Sequence, residues 1–221
     1  MPSPKERLCH LLELAAQGAG ERAHLAGEVA DLLLDWPAQY PQPMRATFES
    51  LLEKIVREMD AASAAALSAR FEGREDFPLS LLNEFFLFGS PAMRGVLLER
   101  NEAEGAAEGF AVDADALLHE ARAKGDFAAA LAHLAAIPQT CAQAILADAS
   151  GAALAVLCRG AGIARATFSA MAILTGPARS VHENFAMLTV FDCVPENGAR
   201  HLLAFWRTRG ETPVRHAVHA A

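Results

Sequence analysis

Eight histidines and four cysteines are the side chains of this 221-residue chain best suited to hold a metal or act as nucleophiles. Their spacing argues against both uses. His216 and His219 have a metal-compatible separation, but residues 211–221 offer nothing to bury and are expected to form a disordered tail. Cys9 and His10 are adjacent, so on a helix they point to different sides. Neither pair approaches the four ligands of a structural zinc site, and no metal or other cofactor is expected. Cys9, Cys141, Cys158 and Cys193 lie far apart with no C-x-x-C spacing, three of them among apolar helical residues. They are expected to be reduced core thiols of a cytoplasmic protein. Apart from Arg159, no cation stands at helical spacing from Cys141 or Cys158 to stabilise a thiolate. Asp148 and Ser150 could be imagined as a nucleophile and its partner, but Asp and Ser before an apolar helix act as caps, and no second base or glycine-rich cradle is near in sequence.

Two histidines invite a different chemistry. His119-Glu120-Ala121-Arg122 and His182-Glu183-Asn184 share two or three residues with the acceptor box of histidine kinases, where an exposed histidine beside a carboxylate takes phosphate. No nucleotide-binding glycine motif accompanies either, so both are read as surface histidines. A phosphorelay-type regulatory protein, with a surface histidine or a docking helix, is the alternative reading. The remaining candidates are aromatic and apolar. Trp36 and Tyr40 stand on a loop stiffened by Pro37, Pro41 and Pro43, while Leu81 and Phe88 lie off the face that Leu82, Phe85 and Phe86 share on a helix opened by Pro78. A helix in a two-layer stack hides one broad face, so Trp36, Tyr40, Leu81 and Phe88 are the candidate partner-binding residues, for another protein or a second copy of the chain.

The elements that position these residues follow from period and punctuation. Ser3-Pro4-Lys5-Glu6 has the form of a capping box, followed by Leu8, Leu11, Leu12 and Ala15 at helical spacing. Glu21 to Asp35 repeats the pattern until Trp36-Pro37. Phe48, Leu51, Leu52, Ile55 and Met59 form one stripe between Met44 and Asp60, with Glu49 outside it and Glu53 to Arg57 as an i, i+4 pair. A short helix with Leu67 and Phe71 comes next, then the Pro78 helix through Phe88, then one capped by Ser90 with Pro91 at its first position. Residues 101–112 are acidic, contain glycine and lack periodicity. They are expected to be an exposed loop separating a helical region 1–100 from a second, 113–210. Asp113 or Asp115 can cap a helix through Ala123.

From Phe127 to Ala178 the only charged residues are Asp148, Arg159 and Arg165, so this stretch must be core. Pro138, the Asp148-Ala149-Ser150-Gly151 turn, Gly160 and Gly162 cut it into short buried helices, and no run approaches the roughly 20 residues of a membrane span. Ala129 to Leu134 resembles Ala152 to Leu157, as a helical repeat would. Helices with Phe185, Leu188 and Phe191, and with Ala199, Leu202, Leu203 and Trp206, close the fold. With no β alternation and few β-branched residues, the protein is expected to be all-α. Residues 1–110 hold 18 acidic and 10 basic side chains against nine of each in 111–221, which leaves no basic stripe for nucleic acid or an anionic membrane.

Gly125-Asp126-Phe127 before an Ala/Leu helix, Asp148-Ala149-Ser150-Gly151 followed by Leu157-Cys158-Arg159, Ala161-Gly162-Ile163, and Ala204-Phe205-Trp206-Arg207 together resemble an alphaproteobacterial HEAT-like helical-repeat family catalogued as a domain of unknown function. Gly89 to Arg100 is similar to that family's short repeat ending in leucine-glutamate-arginine. The resemblance covers roughly residues 80–207 and implies stacked antiparallel helices, as an α-solenoid or an irregular bundle, with no assigned activity. The long acidic loop departs from it. The chain is therefore expected to be a non-enzymatic cytoplasmic scaffold that binds another protein.

Overall fold

The computed structural model describes residues 19–175 and 181–209. The helix expected from Ser3, with Cys9 and His10, and the tail with His216 and His219 lie outside them, as do the side chains of Arg122 and His182. Among the described residues the backbone forms twelve α-helices, one 3-10 turn and no strand, and the chain is all-α. It divides into two compact units between Leu97 and Leu98.

In the first unit, α1 (Ala19–Leu34) stops just before Trp36-Pro37 and α2 (Gln42–Arg57) starts after Pro41. The α2 core face is Phe48, Leu52, Ile55 and Val56, and it packs on α1. The short α3 (Ala61–Ser68) is capped by Asp60, whose carboxylate accepts from the Ser63 N–H at 2.9 Å and the Ser63 hydroxyl at 2.7 Å. Those bonds hold the Asp60 carboxyl below its ordinary range. A 3-10 turn (Ala69–Phe71) follows, and then α4 (Leu79–Glu84), which packs on α2. The Phe71 ring lies 5.0 Å from that of Phe77 and 5.1 Å from that of Phe85.

Three expectations are corrected in this unit. The Pro78 helix ends at Glu84, and tight turns follow, with Phe85 N–H donating to Leu82 O and Phe88 N–H to Phe85 O, both at 3.0 Å. The turn frees Phe85 and Phe86 from sharing helical faces, and both are fully buried. Glu49 is buried and accepts from Arg45 at 2.9 Å, and the Glu53–Arg57 pair does not form. Arg57 instead donates to the fully buried Glu84 at 2.5 Å, while Glu53 accepts from Ser80 at 2.6 Å. A buried carboxylate desolvates at high cost without a cation, so Glu84 outcompetes the exposed i, i+4 partner.

α5 (Pro91–Ala103), capped by Ser90 through the Met93 N–H at 3.1 Å, contains the boundary between the units. The acidic loop thus falls in the second unit instead of separating two regions. Its end is held by the Val112 N–H, which donates to Ala161 O at 3.2 Å. α6 (Ala114–Lys124), capped by Asp113, and α7 (Phe127–Ala135), capped by Asp126, form a packed pair, and α8 (Gln139–Ala147) packs on α7. α9 (Ala152–Gly160) is the centre: it packs on α8, α10 (Arg165–Thr175), α11 (Val181–Cys193) and α12 (Glu196–Thr208). Every residue from Ala153 to Cys158 is buried, as an all-round apolar helix must be. Ala129 to Leu134, its counterpart in the apparent repeat, is only partly buried, with His133 exposed.

Local chemistry places α9. Asp148 accepts from the Ser150 hydroxyl at 2.8 Å and from the Ala153 N–H at 2.9 Å, and Gly151 takes a φ of +72° that a Cβ would strain. At the end of α7 the residue in the left-handed region is Ala136, at φ +52°. Relief of the roughly 1–2 kcal/mol that this conformation costs a residue with a Cβ, less the entropy that glycine adds to the unfolded chain, should make Ala136→Gly stabilising by about 0.5–1 kcal/mol. Thermal melts check this: a lowered midpoint would mean that the Ala136 methyl contributes more by packing than its backbone costs.

Candidate functional site

The residues weighed as nucleophiles and set aside are engaged in folding. Asp148 and Ser150 bond to each other and to the first turn of α9. Cys158 is fully buried, and burial pushes its thiol well above the ordinary value, away from the thiolate a nucleophile needs. Cys141 is buried too, whereas Cys193, expected in the core, is exposed at the end of α11, off the side that buries Phe191 and Val194. Among the described residues no group of three or more His, Cys, Asp or Glu side chains could hold a metal ion.

His119 is exposed on α6, but its neighbour Glu120 serves another histidine. Both Glu120 carboxylate oxygens lie 3.1 Å from Nδ1 of His133, on α7. Glu120 is mostly buried and His133 mostly exposed, so a fixed carboxylate orients the ring and leaves the Nε2 edge toward solvent. Thirteen residues separate the two, a spacing that marks nothing in sequence; only the packing of α6 on α7 brings them together. His201 is engaged by the Gly105 carbonyl at 3.0 Å from Nε2.

The nominated partner-binding residues fare unequally. Leu81 is fully buried, which removes it from any surface: the helix that carries it is covered on the side expected to face outward. Phe88 sits half-buried in the turn after α4, its carbonyl 3.4 Å from the Ser68 hydroxyl. Trp36 and Tyr40 are half-buried and pack against each other edge to face at 5.5 Å, with Phe48 6.0 Å from Trp36. They form a continuation of the first unit's core more than a projecting anchor.

Among the described residues the large apolar side chains that project most are Ile173 (61% exposed), Leu174 (65%) and Phe185 (65%), with Met44 and Val96 less exposed. Ile173 and Leu174 lie in the last turn of α10 and Phe185 in the first half of α11; Arg165 at the start of α10 donates to Asp192 near the end of α11 at 2.8 Å, so the packed helices run antiparallel and the three lie toward one end of the pair. Phe185 was expected in a core stripe with Leu188 and Phe191. Phe191 alone is buried, stacked 4.8 Å from Phe168. The apolar residues of α11 are spread around the helix, so its sequence singles out no core face.

No helix among the described residues is long and apolar enough to cross a membrane. No family model matches the chain, and no curated protein and no solved structure matches it.

Proposed function

We propose that this protein is a non-enzymatic helical scaffold of the HEAT-like kind, working in the bacterial cytoplasm, that holds another protein on its second unit. The observation that carries this reading is the exposure of Ile173, Leu174 and Phe185 at one end of the α10–α11 pair. Side chains of this size left in water gain by being covered, at about 25 cal/mol per Å² of apolar surface. The acidic surplus of residues 1–110 favours a protein partner over nucleic acid or an anionic membrane.

The double substitution Ile173→Ser with Phe185→Ser is expected to remove partners captured by the wild-type chain from its native cytoplasm, compared by quantitative mass spectrometry. The change in folding stability should stay within about 0.5 kcal/mol, because exposed positions contribute little. An identical captured set would sink the reading, and so would loss of folding.

The phosphorelay alternative keeps one specific support. It is His133 held through Nδ1 by Glu120, since a carboxylate so placed stabilises the positive charge that an imidazole gains on accepting a phosphoryl group at Nε2.

A further inference from the structure

A cleft of about 480 Å³ lies in the second unit. One wall is the end of α7 and the turn after it, Ala132, Ala136, Ile137 and Pro138; the other is the last turns of α12, with Ala204 and Arg207. The volume is within the range of small-molecule sites, and the walls are apolar but for Arg207 and Thr208. The Thr208 hydroxyl donates to the Phe205 carbonyl at 2.7 Å. Arg207 differs. Its guanidinium carbon sits 3.7 Å from the centre of the Phe110 ring, its Nε–H is buried without an acceptor, and no carboxylate among the described residues pairs with it. Stacking on an aromatic face holds a guanidinium flat and leaves its terminal N–H groups available in the plane.

Backbone around the cleft favours the same sign of ligand. The end of α7 would present negative carbonyls, but the Ala132 carbonyl accepts the Ile137 N–H at 3.0 Å and the His133 carbonyl accepts the Ala136 N–H at 3.3 Å. Pro138 precedes α8 and gives it no side-chain cap, so the positive end of that helix begins at the cleft wall.

We infer that this cleft binds a small aliphatic monocarboxylate. Its carboxylate would accept from the terminal N–H groups of the Arg207 guanidinium, which lines the cleft, while its alkyl chain lies against Ala132, Ala136, Ile137 and Ala204. A single guanidinium matches one carboxylate in fork geometry, whereas a phosphate dianion calls for more than one cation. The site is separate from the Ile173, Leu174 and Phe185 surface, so the two readings stand or fall independently.

The test is a titration of the ¹⁵N-labelled full chain with octanoate, alongside 1-octanol and octylamine, which keep the chain length and change the head. Saturable shifts of the Ala132, Ala136, Ile137 and Thr208 amides are expected with octanoate. Binding should be about tenfold weaker for 1-octanol and for octanoate on Arg207→Gln, the loss expected for one charged hydrogen bond. Ala204→Leu fills the cleft from an exposed wall position without touching Arg207, and should also abolish the shifts. Absence of saturable shifts overturns the inference, as does equal binding of 1-octanol or octylamine, or undiminished binding to Arg207→Gln. Should Arg207→Gln lose its fold with the Phe110 stack, Ala204→Leu decides, and unchanged binding there overturns it.

Discussion

Replacing Trp206 with alanine is expected to destabilise the protein by about 3–5 kcal/mol, the range seen when a buried large aromatic is truncated. Trp206 is fully buried on the face of α12 that also carries Ala199, Leu202 and Leu203, and that face packs on α9. The cavity left behind closes only if α12 moves toward α9. That movement is blocked, because the two backbones are already near contact at Gly160 and Ala199. A domain is typically stable by about 5–15 kcal/mol, so the loss takes a large share of the margin. Urea denaturation followed by far-UV circular dichroism is the suitable measurement, since the substitution removes one of only two tryptophans. A loss below about 1.5 kcal/mol would mean that α12 is not cooperative with the core around α9.

Gly160→Ala is the second large expected effect, and two terms of opposite sign decide it. Alanine in a helix is favoured over glycine by up to about 1 kcal/mol. At this position, however, a Cβ would stand 2.6 Å from the Ala199 carbonyl oxygen, 2.9 Å from its carbon and 3.2 Å from the Leu203 Cβ. Two of those neighbours are backbone and cannot rotate away, so α9 and α12 must separate along their shared face. Overpacking of this kind costs typically 1–3 kcal/mol or more, and a net loss of about 2 kcal/mol is expected. Gly95→Ala in α5 is the matched control: nothing lies within 4 Å of its Cβ position and the residue is exposed. There the propensity term acts alone, and a gain of about 0.5–1 kcal/mol is expected. Equal effects at both glycines would show that the close approach of α9 and α12 is not what glycine is needed for at 160.

Much of the backbone was legible without coordinates. Ser90, Asp113 and Asp148, readable as caps, each bond to an N–H two to five residues further on, whereas Asp60, read as the end of one helix, caps the next. The stop before Trp36-Pro37 and the start after Pro138 follow from proline's own geometry. The stripe of Leu202, Leu203 and Trp206 is a property of one helix and was readable as such. The stretch from Phe85 to Phe88 misled because an apolar run has no period, and a turn satisfies it as well as a helix does.

The candidate sites were scarcely legible. Leu81 and Phe185 are both large apolar residues of expected helices, yet one is fully buried and the other 65% exposed. Glu120 meets His133 across 13 residues, Arg57 meets Glu84 across 27, and Arg207 stacks on Phe110 from a different part of the second unit. What the sequence determined by itself is whatever closes within about one helical turn: caps, breaks, periodic faces, and with them the all-α class. What only the tertiary structure decided is which face stays uncovered and which charges find each other. Those outcomes depend on partners far along the chain, whose approach is set by how closely α9 and its neighbours can pack, and no local spacing encodes that distance.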